Sequence, residues 1–215
     1  ISRDPFFHWK ASWKTKEKQF LTQAELNTLQ NKKSFLPRLD LVRDIFVFCC
    51  YTGLAYADVK RLRQEDIIIG VDGYRWIKMA RKKTKAISSI PLLPPAEAII
   101  EKYSGHPYVL DGKGVLPVLT NQKSNAYLKE IADVCGINKN LTTHLARHTF
   151  ATTVTLSKGV SISTVSKMLG HRSLKTTQIY AKVLDSKIAE EMSVLIAQLE
   201  QEEAQKRKEE IPKQD

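Results

Sequence analysis

Residues 144–180 read HLARHTFATTVTLSKGVSISTVSKMLGHRSLKTTQIY, and this stretch decides how the rest of the chain is interpreted. His144 and Arg147 are three residues apart in a segment with helical apolar periodicity, so both side chains lie on one helix face. A glycine typical of a helix end precedes His171. Tyr180 follows nine residues after His171.

Two imidazoles, a guanidinium and a phenol are unusual in a protein core, but they suit chemistry on a phosphodiester. A guanidinium grips phosphate oxygens as a fork, and an imidazole hydrogen-bonds a phosphate or carries a proton. A phenol hydroxyl can act as a nucleophile that forms a covalent intermediate. The stretch therefore indicates a site that attacks phosphate esters.

The order His-x-x-Arg, Leu-Gly-His and then Tyr resembles the C-terminal signature of the tyrosine recombinases, the phage integrase family. Two upstream blocks, CYTGLAYADVKRLRQEDI and ISSIPLLPPA, extend the resemblance, which covers the chain from about Phe20 to Leu195. Within the first block, TGLAYADV resembles integrases of mobile elements in the Bacteroidetes. That resemblance implies a role in the integration and excision of a mobile element, or in a related inversion.

The resemblance implies a role for each of the four residues. Tyr180 would be the nucleophile, and Arg147 would clamp the phosphate. His144 would be an acid–base partner that also hydrogen-bonds the phosphate, and His171 would hydrogen-bond the same group. The implied reaction forms a 3′-phosphotyrosyl link, frees a 5′-hydroxyl and exchanges DNA strands without a metal or any other cofactor.

The family also places a lysine on the turn between the second and third strands, where it reaches the scissile phosphate. Counting back from the block Ile90-Pro91-Leu92 assigns this position to Lys83. Its ammonium would protonate the leaving 5′ oxygen if neighbouring cations lower its pKa. Lys82 and Lys85 are the alternatives if the turn has another register.

Ala55 is a departure from the family, which carries its first catalytic arginine after Thr-Gly-Leu. Two guanidiniums normally share the negative charge that develops on phosphorus. We expect Arg81 to substitute, because it lies two residues before Lys83 and a strand conformation would place both side chains on one face. Three arginines on nearby helices are rivals for this role: Arg43, Arg61 and Arg63.

The chain is strongly basic, since 34 Lys and Arg against 23 Asp and Glu give a net charge of +11 over 215 residues. This balance predicts a polyanionic partner but does not separate nucleic acid from an acidic membrane surface. No apolar run approaches the roughly 20 residues that cross a bilayer. We expect double-stranded DNA as the partner and no membrane. Four cations are expected to contact the DNA: Lys82, Lys85, Arg172 and Lys175.

The three cysteines, Cys49, Cys50 and Cys135, lie among apolar residues without a CxxC spacing. They are typical of reduced, buried thiols, which predicts a cytoplasmic protein. With DNA as its partner, the protein would be associated with the nucleoid.

The patterns along the chain predict a mainly helical fold with a small three-stranded antiparallel sheet. The expected helices run from a capping box at Thr22 and Glu25 through Leu29, from Pro37 to near Gly53, and over Ala55–Leu62, Pro95–Tyr103, Asn121–Cys135, Thr143–Lys158 and Ser186–Lys208, with another after Ser161. The expected strands are Ile67–Ile69, Tyr74–Met79 and Ala86–Pro91, with a hairpin turn after the first and a Gly/Pro-rich loop at Gly105–Pro117.

The chain is divided into three parts by composition. Residues 1–19 are interpreted as a linker from a missing N-terminal core-binding domain, which either lies along DNA phosphates or is a tethered tail. Residues 20–200 would form the catalytic domain, and residues 201–215 a polar tail. Because the family acts as tetramers on two paired DNA sites, we expect a homotetramer on DNA and a monomeric isolated fragment. The last helix would dock onto a neighbouring protomer through Val194, Leu195 and Leu199, or cover its own core.

Three alternatives were weighed against this interpretation. His144 and His148 have the spacing of a zinc pair in HExxH proteins, but Leu145 replaces the glutamate and Arg147 would place a cation beside the metal. We therefore expect no metal site. A type IB topoisomerase shares the nucleophile but only relaxes supercoils. A non-catalytic DNA-binding relative of the recombinases is the third alternative, because Ala55 replaces an arginine.

Overall fold

The structure is a computed structural model that describes residues 18–32, 36–180, 189, 192–193 and 195–201. Its described part is mainly helical with one small sheet, as predicted. The α-helices are α1 (Gln23–Asn31), α2 (Pro37–Thr52), α3 (Tyr56–Val59), α4 (Pro94–Tyr103), α5 (Pro107–Leu110), α6 (Asn121–Cys135), α7 (Thr143–Thr149) and α8 (Ile162–Met168). Among these residues no helix has the length and apolarity needed to cross a membrane.

Helix α2 forms the centre of the hydrophobic core. A helix that is apolar on nearly all sides must be enclosed by other elements, and Phe46, Phe48 and Cys49 are at most 1% exposed. Helices α1, α4, α6 and α7 pack around α2. The helix ends at Gly53, whose left-handed backbone (φ +66°) closes its last turn. This end of α2 therefore lies against α7, the helix that carries the His-x-x-Arg motif.

The sheet has the predicted order and direction. Strands β1 (Ile67–Ile69), β2 (Arg75–Ala80) and β3 (Ile87–Pro91) form an antiparallel meander, with the buried pair Ile77 and Ile90 directly opposite each other. The second and third strands begin one residue later than predicted, and the second ends one residue later. Helix α8 packs against β3, which brings the chain after α8 to the turn between β2 and β3.

Two predictions in the middle of the chain, one of a helix and one of a loop, were wrong in extent. The helix expected over Ala55–Leu62 is only α3, because Ala55 has an extended backbone and the chain turns directly after Val59. The loop expected over Gly105–Pro117 contains the single turn α5, which starts at a proline. The shorter α3 leaves Ala55 at the start of that helix, as its N-cap residue.

The helix predicted over Thr143–Lys158 is helical throughout but changes its hydrogen bonding twice. It continues from α7 as a π-helix over Phe150–Thr155 and as a 3₁₀ turn over Leu156–Lys158. Threonine hydroxyls compete for backbone carbonyls in this segment; the hydroxyl of Thr155 donates to the carbonyls of Phe150 and Ala151. Single π turns inside helices are frequent at functional sites.

Several predictions at the ends of the chain lie partly outside the described residues. The capping box of α1 is confirmed, with Thr22 and Glu25 bonded reciprocally. Of the last predicted helix, residues 189, 192–193 and 195–201 are helical, and its other residues, including Val194, lie outside the described part. Of the expected linker only residues 18–19, and of the expected tail only residue 201, are described.

Candidate active site

Arg147 is buried on the inner side of α7, at 5% exposure. Its Nη1 donates to the carbonyl of Gly53 at 2.6 Å, and its Nη2 donates to the carbonyl of Leu169. Gly53 cannot carry a side chain here, because a Cβ would lie 2.6 Å from Cδ1 of Phe150. Burial and the charge of Arg81 lower the pKa of Arg147 to about 10, which leaves it cationic at neutral pH. The ends of two other helical segments thus fix this guanidinium.

Arg81 lies directly after β2 and is 8% exposed. Its Nε is 3.4 Å from Oδ2 of Asp58, a carboxylate that also accepts the backbone N–H of Lys82 at 2.8 Å. The other side of Arg81 packs on Gly170, where a Cβ would lie 2.7 Å from Cδ of the arginine and the backbone has φ +59°. Glycine at position 170 therefore makes room for Arg81.

The expectation that Arg81 and Lys83 share one strand face was wrong. Strand β2 ends at Ala80, and the chain turns over residues 82–84, so Arg81 points into the protein while Lys83 is exposed. Arg81 and Lys83 still act on the same imidazole. The pKa of His144 is lowered by burial and then, in decreasing order, by Lys18, Arg147, Lys83 and Arg81. Arg81 and Lys83 thus act on His144 from different backbone conformations.

The three rival arginines each have partners of their own, and Arg61 shares Asp58 with Arg81. Arg61 donates to the carbonyl of Ala80 and is 3.4 Å from Asp58. Arg63 donates to the carbonyl of Gly112, and Arg43 pairs with Asp40 and Asp44. Among the described cations, Arg147 and Arg81 are the two that lower the pKa of His171.

The turn between β2 and β3 is tied to the segment that carries His171. Nη2 of Arg172 donates to the carbonyl of Thr84 at 2.5 Å, and the hydroxyl of Thr84 donates to the carbonyl of Gly170 at 3.5 Å. Lys85 adopts the left-handed conformation (φ +57°) that closes the turn. These contacts hold Lys83 and His171 on neighbouring segments.

The surroundings of His171 and His144 favour their neutral forms, because they lower the pKa of both imidazoles. Nδ1 of His171 lies 2.8 Å from the hydroxyl of Thr177, and burial together with Arg147 and Arg81 lowers the pKa of His171 to about 4. His144 is exposed at the start of α7, and its pKa is also lowered, by burial of part of its ring and then by nearby cations. A neutral imidazole beside two guanidiniums is able to donate one N–H to a phosphate oxygen.

Tyr180 ends a 3₁₀ turn over Gln178–Tyr180 and is only 4% exposed. Its hydroxyl is 2.5 Å from Nδ1 of His148. Burial raises the pKa of Tyr180 to about 12, and the neighbouring charge of Arg147 opposes this shift. The phenol is therefore inside the site, beside the arginine that the motif predicts.

The sequence interpretation missed two members of this cluster, His148 and Lys18. His148 was weighed only as a metal ligand, although its position next to Arg147 already placed it close to the site. Its ring packs edge-on against His144, with centroids 4.2 Å apart. Lys18 was included in the expected linker, and it lines a hollow of about 220 Å³ together with Gln19, Asn140, Thr142, His144, Leu145 and His148.

The four expected DNA contacts lie on the β2–β3 turn and on the segment that follows His171. Lys82, Lys85 and Lys175 have exposed side chains, on the β2–β3 turn and on the short turn after His171. Arg172 is also exposed, but its guanidinium holds the turn through Thr84. Among the described residues, no group of three His, Cys, Asp or Glu side chains could hold a metal ion. Nδ1 of His148 is hydrogen-bonded to the hydroxyl of Tyr180.

Comparisons with known proteins show what this chain is similar to. The family model described as the phage integrase family matches residues 19–187. A tyrosine recombinase of Pseudothermotoga lettingae is 29% identical over 173 residues, which are 77% of this chain and 57% of that protein. The chain thus spans about half the length of the curated relatives that it matches.

Two solved structures show the same fold. A XerH site-specific recombinase bound to its palindromic difH substrate, in a post-cleavage complex, has a TM-score of 0.63 and 21% identity, covering 84% of this chain and 54% of that chain. The Tn1549 transposon integrase in complex with a circular intermediate DNA has a TM-score of 0.61 and 18% identity, covering 83% and 67%. At these identities the likeness concerns the fold alone.

Proposed function

The chain belongs to the phage integrase family, and from this premise we propose that it is the catalytic domain of a tyrosine site-specific DNA recombinase. One observation carries the proposal: the hydroxyl of Tyr180 contacts His148, the neighbour of Arg147 on α7, and Arg147 and Arg81 both lower the pKa of His144 and of His171. A phenol placed next to two fixed guanidiniums and two neutral imidazoles suits attack on a phosphodiester.

In the proposed reaction the phenol oxygen of Tyr180 attacks the scissile phosphorus. Arg147 and Arg81 stabilise the negative charge that develops on the non-bridging oxygens, and His144 and His171 donate hydrogen bonds to them. Lys83 protonates the 5′ oxygen as the P–O5′ bond breaks. The product is a 3′-phosphotyrosyl link, and a 5′-hydroxyl from a partner duplex reverses the step without ATP.

Double-stranded DNA is the proposed partner, held chiefly through its phosphates. The Tn1549 transposon integrase was solved in complex with a circular intermediate DNA, and the net charge of +11 of this chain favours a polyanion. Exposed lysines on the β2–β3 turn and after His171 would contact phosphates flanking the cleaved one, so affinity should fall steeply with salt. Acting on chromosomal DNA, the protein would work at the nucleoid in the cytoplasm.

A homotetramer on two paired DNA sites is the proposed assembly. Four apolar residues near the C-terminus are 43–51% exposed and follow i, i+3, i+4 and i+7 spacing: Met192, Leu195, Ile196 and Leu199. Such a stripe supports docking onto a neighbouring protomer. The transposon integrase among the neighbours, together with the segment TGLAYADV, supports a role in the integration and excision of a mobile element.

A suicide substrate tests the proposal. Duplexes nicked near the cleavage site, with randomised sequence around the nick, lose a short fragment after attack, so a covalent protein–DNA product accumulates. We expect this product with the wild-type chain and none with Tyr180→Phe. No adduct from the wild type over the whole pool would favour the non-catalytic DNA-binding relative, the candidate that Ala55 supports. Relaxation of supercoils without joining of two duplexes would identify a topoisomerase instead.

A further inference from the structure

The nucleophile has a buried partner that the family motif does not assign. The hydroxyl of Tyr180 is 2.5 Å from Nδ1 of His148, and both side chains are at most 5% exposed. We propose that His148 is a further catalytic residue, which holds the phenol and takes its proton as the oxygen attacks phosphorus. This inference rests on the proposed function, because it takes Tyr180 as the nucleophile.

Counting hydrogen bonds selects the tautomer of His148. If Nδ1 carried the hydrogen, it would donate to the phenol oxygen, and the phenol hydrogen and the Nε2 lone pair would both lack partners among the described residues. If Nε2 carries the hydrogen, Nδ1 accepts from the phenol and only the buried Nε2–H lacks a partner there. Each buried unpaired group destabilises the structure, so the second arrangement, which has fewer of them, is favoured. In it the lone pair that receives a proton already faces the nucleophile.

The surroundings of His148 keep the imidazole neutral before DNA binds. Burial makes the largest contribution to lowering the pKa of His148 to about 4, and the charged or polar groups that face it lower the pKa further. These are His144 and Arg147 on its own helix, Lys18 on the entering segment, and His171 after α8. At neutral pH the ring is therefore unprotonated and able to accept.

The timing of the proton transfer follows from the two acidities. Full transfer before attack is unfavourable, because the pKa of Tyr180 is about 12 and that of His148 about 4. The acidity of the phenol rises steeply once its oxygen begins to bond phosphorus, so the proton moves during that step. The incoming phosphodiester also places a negative charge close to the imidazole, which raises the pKa of His148.

The step balances. The O–H bond of Tyr180 breaks, its electron pair forms the new O–P bond, and the proton moves to Nδ1 of His148. The P–O5′ bond breaks, and its electron pair leaves on the 5′ oxygen, which takes a proton from Lys83. The site ends with an imidazolium at His148 and a neutral amine at Lys83, and the reverse reaction restores both.

Two substitutions of His148 distinguish its role in holding the phenol of Tyr180 from its role in accepting the phenol proton. His148→Asn keeps a hydrogen-bonding atom near the position of Nδ1 but does not accept a proton near neutral pH, whereas His148→Phe removes both capacities and keeps a ring. His106→Asn is the matched control, because His106 is exposed and caps α5, a position that asparagine also favours. Circular dichroism and DNA affinity report whether each variant folds.

The experiment is single-turnover adduct formation on the nicked duplexes, with normal and 5′-bridging phosphorothiolate linkages. Sulfur leaves without a proton, so it bypasses Lys83 but not the base at the phenol. We expect His148→Asn to be about 10²-fold slower or more on both substrates, and Lys83→Ala to regain activity on the sulfur substrate alone. The rate of adduct formation by the wild type should fall at low pH, where His148 becomes protonated. In His148→Asn this fall should be absent, and the rate should instead rise at high pH as the phenol of Tyr180 ionises.

Imidazole rescue adds a measurement that would show no effect if His148 had only a structural role. His148→Ala leaves a cavity beside Tyr180, and imidazole added to the buffer should speed adduct formation in that variant but not in Tyr180→Phe. The proposal is overturned if wild type, His106→Asn and a folded His148→Asn form adduct at equal rates, or if sulfur substitution restores His148→Asn. Absence of adduct from the wild type would instead overturn the proposed function itself.

Discussion

At the scale of single residues, Arg81 is the side chain whose role depends most on its surroundings. The resemblance places an arginine at position 55, where this chain has alanine, and Asp58, one turn later, pairs with Arg81. The same guanidinium acts on Arg147, His144 and His171. We propose that this charge substitutes for the arginine that the resemblance places at position 55.

Arg81→Ala is expected to slow adduct formation by about 10²–10³-fold, the usual cost of removing one donor from a developing oxyanion. Affinity for DNA should change little, because many other cations contact phosphates. Arg63→Ala is the control, since Arg63 is exposed and bonded to Gly112. Single-turnover cleavage of the nicked duplexes measures both variants, and full activity of Arg81→Ala would return the role to Arg61. Adding Ala55→Arg to Arg81→Ala should recover part of the loss.

At the scale of elements, the segment entering the domain is fastened to the catalytic helix. The backbone N–H of Leu21 donates to the hydroxyl of Thr149 at 2.9 Å, and the hydroxyl of Thr153 donates to the carbonyl of Leu21. Leu21 itself is fully buried. This anchor brings Lys18 to the imidazoles, since Lys18 lowers the pKa of His144 and of His148.

Lys18→Gln should therefore raise the pKa of both imidazoles and weaken binding of DNA. NMR titration of the histidine ring signals measures the first effect, and electrophoretic mobility shifts at several salt concentrations measure the second. The affinity for DNA should depend less steeply on salt concentration, by the amount that corresponds to the loss of about one phosphate contact. Lys158→Gln makes the same charge change at the end of the 3₁₀ turn and should leave the imidazoles unchanged. An unchanged titration in Lys18→Gln would show that the anchor positions the segment without acting on the site.

The elements also show how far the sequence predicts the site. His144, Arg147, His171 and Tyr180 were recognisable from the order and spacing of the motif, and in the structure Arg147 affects the pKa of each of the other three. The contact of Leu21 with α7 joins residues 128 positions apart, which no local pattern reveals. The inward turn of Arg81 depends on the space at Gly170, and the partner of Tyr180 depends on how its turn packs. These are consequences of tertiary packing.

At the scale of the whole molecule, the site makes the fold sensitive to acid. The pKa values of His148 and His171 are lowered to about 4 by burial and by nearby cations. Free histidine titrates at about 6.5, so between these values the unfolded chain binds protons that the folded site excludes. Unfolding is therefore favoured as the pH falls through this window.

Urea unfolding between pH 7 and pH 4 measures this effect. The free energy of unfolding should decrease as the pH is lowered from about 6.5 towards 4, and His148→Phe should show a smaller decrease because one such group is gone. A free energy that stays constant over this range, or an equal decrease in His148→Phe, would contradict the buried neutral state of His148.

The most direct measurement of the central claim is the identity of the residue that becomes linked to DNA. The adduct from the nicked duplexes is digested with protease and nuclease, and mass spectrometry locates the attached nucleotide. The account predicts one modified peptide, with a 3′-phosphate joined to Tyr180. A link to any other residue, a 5′-phosphate link, or an adduct that persists in Tyr180→Phe would contradict it.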